Sequence, residues 1–356
     1  MDIGVCVASH VGDIDYVVRA EELGYSHAWL ADSQMLWSDC YAALALVADR
    51  TSTINIGTGV SVSGTRPAPV TAASIATINA LAPGRTFLGL GTGNTAMRIM
   101  GHKPQRIAEF DQYLDAIKPL LKGEEAEHSF GGHVSPIRHI MPDKGFVNFD
   151  DPIPLYVSGF GPKSLALAGK HADGAVMSIP PDAQVMDRMW EMIERGADEA
   201  GRELDRESYL TCSLTTIVVL EDGETIESPR VKEEAGAMAM ASVHYSYDQY
   251  RQLGRSPGSR LDDIWDEYTS MLADYDPERI HQRIHAGHNC WVIPEEERFV
   301  TPELIDATCI VGTANEVIER LQQLEERGLD QLMILPNFDP RFEVLERIGQ
   351  EVIPHV

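Results

Sequence analysis

The sequence predicts an α/β fold, a (β/α)8 TIM barrel with insertion segments. Three observations carry this. Short apolar runs alternate with helix-patterned segments along most of the 356 residues. The apolar runs read as strands buried on both faces and the links are short, which marks a parallel sheet with crossover helices. The glycine-rich stretch FLGLGTGNTAM, Phe87 to Met97, follows the fourth strand rather than the first. An open dinucleotide-binding sheet would carry its fingerprint after the first strand. There the chain has Ala8-Ser9-His10-Val11-Gly12, and FLGLGTGNTAM itself lacks the GxGxxG spacing.

The elements follow in order. Ile3 to Ala8 is a buried strand, and Asp13 to Leu23 a helix with Ile14, Val17, Val18 and Leu23 at near-helical spacing and Gly24 as its stop. His27 to Leu30 is the second strand and Cys40 to Asp49 an alanine-rich helix. Ile54 to Val60, Val70 to Leu81, Thr86 to Gly91 and Arg106 to Leu121 complete four βα units. Glu125 to Asp151 breaks the rhythm: Gly131-Gly132 between apolar positions such as Val134 and Ile137 suggests a hairpin insertion. The pattern resumes with strand Leu155 to Ser158, helix Pro162 to His171, strand Gly174 to Met177 and helix Ala183 to Ala200. Tyr209 to Leu220 reads as one seventh strand. Residues 221–300, with an acidic helix, a Gly/Ser/Pro stretch from Gly254 to Ser259 and the histidines His281 to His288, read as a helical or lid insertion. A helix from Ala314 to Arg327 capped by Thr313, strand Gln331 to Leu335 and helix Phe342 to Val352 close the chain. Residues 1–356 are thus expected to form one barrel domain with insertions at about 125–151 and 221–300.

Charge and composition exclude several classes. The formal net charge is −26, which repels nucleic acid and anionic membrane, and there is no basic stripe. No apolar run is long enough to cross a bilayer. The N-terminus lacks the basic and apolar regions of a signal peptide, so a cytoplasmic protein is expected. Five widely spaced cysteines with no CxxC pair argue against disulfides or a cysteine-based metal site.

On a barrel, all strand ends gather on one face, and four of them are rich in small or polar residues. They are Ala31-Asp32-Ser33-Gln34-Met35-Leu36-Trp37, Gly57 to Arg66, Gly91-Thr-Gly-Asn-Thr95, and Ser158-Gly-Phe-Gly-Pro-Lys-Ser164. Small residues let backbone approach a flat ligand. A helix beginning at Pro162 offers free N–H groups and a dipole to a phosphate, with Lys163 and Ser164 beside it. Asp32 has a second reading as a structural or capping carboxylate, Trp37 as core, and Lys163 as a solvated helix residue. His10 lies past the first strand on the presumed active face, where an imidazole could donate to a cofactor or shuttle a proton. In HQRIHAGHNC, His281 and His285 share a helical face, but the glutamate of an HExxH metal site is absent and no metal is expected. His285 and His288 either reach into the pocket from the lid or sit solvated.

Taken together, these blocks resemble the bacterial luciferase-like family of flavin and deazaflavin oxidoreductases. The resemblance is densest from Gly24 to Lys103 and from Pro154 to Val176, in ELGYSHAWLADSQMLW, TGVSVSGTRPAPVTAASIATINALAPGRTFLGLGTGN and PLYVSGFGPKSLALAGKHADGAV, with IVGTANEVIERLQQLEERGLDQLMIL further on. It implies a non-proline cis peptide at Gly59-Val60, a bulge behind the cofactor ring. It implies that Thr92, Gly93 and Asn94 contact the cofactor and that Gly159 and Gly161 bind its phosphate, within the segment Ser158, Gly159, Phe160, Gly161, Pro162, Lys163. Asp32 and Trp37 fall near the ring and substrate pocket, with His10, His285 and His288 as further catalytic candidates. The chain also departs from the family. Ser33 and Asn94 stand where sugar-phosphate dehydrogenases of the family carry a histidine and an acid, so their proton-transfer pair is missing. No acid follows the first strand as it does in the methylene-tetrahydromethanopterin reductases.

The expectation is a flavin-dependent oxidoreductase: first a luciferase-like monooxygenase using reduced FMN and O2 on a small organic substrate, with a flavin reductase as supplier. The alternative is hydride transfer with the deazaflavin coenzyme F-420. A non-catalytic flavin-binding protein is the third reading, and a metal-dependent barrel hydrolase has too few strand-end ligands. The resemblance implies a homodimer, with Ala42, Ala43, Leu46 and Val47 at a seam or packed on the barrel.

Overall fold

The computed structural model describes residues 1–177, 183–255 and 257–356. Ser256, in the Gly/Ser/Pro stretch, lies outside the described residues. The first half alternates as expected: β1 (Asp2–Val7), α1 (Asp15–Glu22), β2 (His27–Leu30), α2 (Cys40–Arg50), β3 (Asn55–Thr58), β4 (Ser61–Val62), α3 (Ala68–Leu81) and β5 (Thr86–Gly91). Next come α4 (Asn94–Ile99), α5 (Ile107–Leu121), the antiparallel hairpin β6 (Ala126–Phe130) and β7 (His133–Ile137), β8 (Leu155–Ser158), α6 (Pro162–His171), β9 (Gly174–Met177) and α7 (Ala183–Glu199). The remainder is β10 (Leu210–Thr215), β11 (Ile217–Val219), α8 (Pro229–Leu253), α9 (Asp262–Leu272), α10 (Ile280–Arg283), α11 (Pro302–Thr308), β12 (Ile310–Gly312), α12 (Ala314–Glu325), β13 (Gln331–Ile334) and α13 (Arg341–Glu351).

Eight parallel strands close a barrel in the order β3-β2-β1-β13-β10-β9-β8-β5, with Ile56 opposite Thr86 and Gly57 opposite Phe87 at the closure. Local chemistry sets the helix ends. Asp39 caps α2 by accepting from the N–H groups of Tyr41 and Ala42 at 3.0 and 3.1 Å. Thr313 caps α12, and Glu316 reaches back to the Thr313 N–H at 2.8 Å.

Two layers make the core. Aliphatic faces of the helices pack on the outside of the barrel, with Val5, Ile56, Leu88 and Ile334 from the strands. Inside, Trp29, Phe87 and Tyr156 fill the lower barrel, their ring centroids 4.3 to 5.6 Å apart. The polar tips there are paired: Trp29 Nε1 donates to Gln331 Oε1 at 2.8 Å, and Gln331 Nε2 donates to His27 Nδ1 at 2.6 Å. Burial holds the His27 imidazole down to about 4, so it is the neutral acceptor that Gln331 needs. This plug shuts the barrel below and leaves the C-terminal end for the site.

The expected seventh strand, Tyr209 to Leu220, is two. β10 stays in the barrel, while β11 leaves it and pairs with β12 in a separate two-stranded sheet. The apolar run continues across the break because β11 is also fully buried. In α2, Ala43 and Val47 pack on the barrel, the second of the two expectations for them, while Ala42 and Leu46 are exposed.

Candidate active site

A cavity of about 490 Å³ lies at the C-terminal end of the barrel, and every barrel strand reaches it at or just beyond its end. Cys6, Ala31, Gly59, Gly91, Ser158, Met177, Leu214 and Leu335 represent β1, β2, β3, β5, β8, β9, β10 and β13 in turn.

The back wall is the Gly59-Val60 step, a cis peptide between two non-proline residues. It separates β3 from β4 and turns Val60 to the cavity. Room for Val60 comes from the alternate glycines of β5: a Cβ on Gly89 or Gly91 would stand 2.9 Å from a Val60 methyl. The loop after β5 adds one side wall. Gly93 has φ +82°, and a Cβ there would meet Val62 at 2.4 Å, so both backbone and space require glycine. Asn94 then opens α4, and its side-chain oxygen accepts from Arg98 Nε at 2.8 Å.

Opposite, the N-terminus of α6 meets the cavity through Gly161 and Ser164. Nothing lies within 4 Å of a Cβ built on Gly161. The Gly161 N–H donates to Ser164 Oγ at 3.3 Å, and Ser164 Oγ donates to the Gly161 carbonyl at 3.0 Å. An open glycine before a first helical turn of free N–H groups suits an anionic oxygen. The floor is apolar, with Val176, Met333 and Leu335, and burial pushes the Cys6 thiol up to about 12, which keeps it protonated. A flat ring against Val60 with a phosphate at α6 therefore fits the residues present.

The remaining wall is α8 and the turn after α10. Tyr245, Gln249 and Leu253 project from α8, while His288 and Asn289 come from the turn. His288 is buried, with its ring 6.2 Å from Trp37 and its Nε2 3.3 Å from Thr95 Oγ1. Burial, then His285 and His244, holds its imidazole well below the ordinary range, so it is neutral.

The structure gathers most of the expected residues and separates some. Asp32, Trp37, Gly59, Val60, Thr92, Gly93, Asn94, Ser158, Phe160, Gly161 and His288 all line the cavity. His10 is corrected: it is exposed beside the Phe338 ring and is not among the lining residues. Gly159 is also set back, its Cβ direction blocked at 3.0 Å by Ser164 and the Leu165 N–H. Pro162 and Lys163 are exposed at the start of α6 and do not line the cavity. His285 is buried behind the wall, 3.4 Å from Asp248. Asp32 lines the cavity but is fully engaged. Its two oxygens accept from Gln34, Ser61 and Arg66, and the Val62 N–H lies 3.4 Å away. That carboxylate ties the end of β2 to β4, as the structural reading of Asp32 expects, while the capping of α2 falls to Asp39.

Thr95, from the strand-end block after β5, also lines the cavity, as do Arg98, Tyr245, Gln249 and Asn289, which were missed from sequence. The available signal was polar residues at helical spacing: Tyr245, Asp248 and Gln249 on α8, and Asn94 with Arg98 on α4. Among the described residues, the group that gathers as a metal site would is Asp111, Asp115 and His171, on the outer helices α5 and α6; Lys170 already holds Asp111 at 2.8 Å.

A closed barrel with its cavity at the strand ends and a cis step behind it places the protein among the luciferase-like oxidoreductases. The chain belongs to the luciferase-like monooxygenase family, whose sequence model matches residues 12–331. It is similar to the 5,10-methylenetetrahydromethanopterin reductase of Methanolobus tindarius, at 27% identity over 354 residues, 95% of this chain and 94% of the relative. An F-420-dependent hydroxymycolic acid dehydrogenase of Mycobacterium tuberculosis is 32% identical over 207 residues, 53% of this chain and 54% of that protein. Two solved structures share the fold. One is the coenzyme F-420-dependent tetrahydromethanopterin reductase of Methanopyrus kandleri, with TM-score 0.69, 21% identity and coverage of 100% and 99%. The other is an FMN complex of a type II Baeyer-Villiger monooxygenase of Pseudomonas putida, with TM-score 0.65, 19% identity and coverage of 100% and 98%. No helix among the described residues is long and apolar enough to cross a membrane.

Proposed function

We propose that the protein transfers hydride between the deazaflavin coenzyme F-420 and a small organic substrate. The observation that carries this choice over FMN is the likeness to relatives named as F-420 enzymes, the M. tuberculosis dehydrogenase above all. The ring is placed on Val60, flanked by Thr92, Gly93 and Asn94, with its phosphate at Gly161 and Ser164. When bound there, the deazaflavin supplies the hydride-accepting or hydride-donating carbon. The chain's part is to hold the ring, exclude water with the apolar floor of Val176, Met333 and Leu335, and present Trp37 and His288 to the substrate.

Reduced FMN with O2 is the second reading, favoured by the family match and by the shared fold of the monooxygenase. The missing acid after β1 and the Ser33 and Asn94 substitutions argue that the substrate is neither tetrahydromethanopterin nor a sugar phosphate. A homodimer and cytoplasmic residence belong to the same proposal and rest on family likeness.

Titrating the purified protein with F-420 and, separately, with FMN tests the choice. The expected result is a dissociation constant for F-420 at least tenfold below that for FMN. Tighter binding of FMN would overturn the deazaflavin reading, and failure to bind either would overturn both.

A further inference from the structure

Behind the α8 wall, unpartnered polar atoms concentrate in one place. Arg98 Nη1, Asp248 Oδ2, both ring nitrogens of His285 and Nδ1 of His288 are buried without a hydrogen-bond partner. A buried polar atom left unpaired has lost its water without a replacement, so such a group needs a reason. These four side chains are also neighbours. Asp248 Oδ2 lies 3.4 Å from His285 Nε2 and 3.9 Å from Arg98 Nη1. The His285 and His288 rings meet edge to face, 5.2 Å between centroids and 75° between planes. All four side chains are nine-tenths or more buried.

The line has a direction. His288 Nε2 lies 3.3 Å from Thr95 Oγ1 and 3.1 Å from Asn289 Nδ2, and both partners line the cavity, so Nε2 is the cavity-side nitrogen. Asn289 Nδ2 can only donate, which makes Nε2 the acceptor and leaves the ring proton on Nδ1. His285 and then Asp248 stand behind. A carboxylate behind an imidazole is how a ring is held in one tautomer and its protonated form stabilised. Here a second imidazole is interposed.

We propose that Asp248 and His285 are positioning residues for His288, and that His288 Nε2 carries the substrate proton that accompanies hydride transfer. The proposal rests on the oxidoreductase reading and assigns its acid–base group to the α8 and α10 side of the cavity, since the strand ends offer Ser33 and Asn94. In the oxidising direction a carbinol C–H bond breaks, its electron pair leaving as hydride to the cofactor. The Asn289 N–H releases the Nε2 lone pair, the O–H proton moves to His288 Nε2, and the C=O bond forms. Reduction reverses each transfer, His288 returning the proton to the new alkoxide oxygen. The titratable and charged groups around the line are Arg98 on α4, His244, Tyr245, Tyr247, Asp248 and Arg251 on α8, Tyr268 on α9, and His285 and Cys290 on the turn. His244 is engaged by Glu296 at 2.8 Å, and Glu296 also accepts from Arg283.

Histidine-selective 15N NMR of the whole protein reads tautomers and titration midpoints without a substrate. His288→Gln and His285→Gln assign the two rings. The expected result at neutral pH is a proton on Nδ1 of His288 and on Nε2 of His285. In Asp248→Asn, the His285 tautomer becomes mixed and the His288 midpoint falls by at least half a unit, because the anion that favours its charged form is gone. A purely structural ion pair would instead show a doubly protonated His285 and a His288 that ignores Asp248→Asn; either result overturns the proposal. Asp248→Glu, which keeps the charge, restores the midpoint if the assignment is right and serves where Asp248→Asn folds poorly. F-420 and FMN titrations of the Asp248 variants are expected within twofold of the parent, so failure of the parent to bind either cofactor tests the function and the NMR response tests the line.

Discussion

The side-chain oxygen of Asn94 holds Arg98, accepting from its Nε at 2.8 Å one turn along α4. The position that carries an acid in the sugar-phosphate dehydrogenases of this family is thus occupied by an amide that orients a cation at the cavity wall. Arg98 is 5% exposed, and desolvation by its surroundings lowers its guanidinium from the ordinary value. Its placement therefore depends on the few acceptors in reach.

Removing that acceptor exposes the dependence. Asn94→Ala leaves Arg98 Nε buried and unpaired, and the expected loss is about 1–3 kcal/mol in urea unfolding. Asn94→Asp keeps an acceptor and adds opposite charge, so its loss is expected to be smaller. An Asn94→Ala variant as stable as the parent would show that Arg98 is held by other groups.

The glycines of the strand ends divide by what a methyl group would meet. On Gly89 it would lie 2.2 Å from the Thr58 carbonyl oxygen, backbone that cannot yield. On Gly91 it would meet a Val60 methyl at 2.9 Å, and on Gly161 nothing within 4 Å. The expected order of destabilisation is Gly89→Ala, then Gly91→Ala, each at or above about 1–3 kcal/mol, with Gly161→Ala within about 0.5 kcal/mol of the parent. Gly161→Trp is expected to fold and to weaken cofactor binding tenfold or more by filling the phosphate approach. Urea midpoints and cofactor titrations check both; a Gly89→Ala variant no less stable than Gly161→Ala would contradict the packing account.

The contrast explains how far the site could be read in advance. The eight barrel strands were legible because strands buried on both faces are apolar throughout, as in Phe87 to Leu90. Gly59-Val60 and Gly161 were legible through the family resemblance, which fixes their positions in the strand-end loops. Arg98 was not: α4 is a six-residue helix begun by a glycine at positive φ, and from sequence it passed for loop. Asp248 is far from His285 in sequence and alone looks like a solvated helix residue, while His285 stays open between reaching the pocket and sitting solvated; the docking of α8 against the turn after α10 buries both. His10 misled for the converse reason. Following a strand puts a residue at the correct end of the barrel, but whether it faces the cavity depends on loop geometry that one sequence does not encode.

The buried plug beneath the cavity carries a pH signature. His27 is held neutral, its imidazole lowered from 6.5 to about 4 by burial. Between those values the unfolded chain binds a proton that the folded chain refuses, so stability rises with pH across the window. Stability from this group is therefore complete above pH 6.5 and lost as pH falls toward 4, by about 3 kcal/mol at most. The Gln331 amide, which donates to His27 Nδ1 at 2.6 Å, cannot donate to a protonated ring, and this opposes protonation as well. His27→Gln is expected to remove this component: its urea midpoint is lower than the parent's at pH 7.5, but the fall between pH 6.5 and 4.5 is shallower. Parallel curves for parent and variant over that range would mean that other groups set the acid limit.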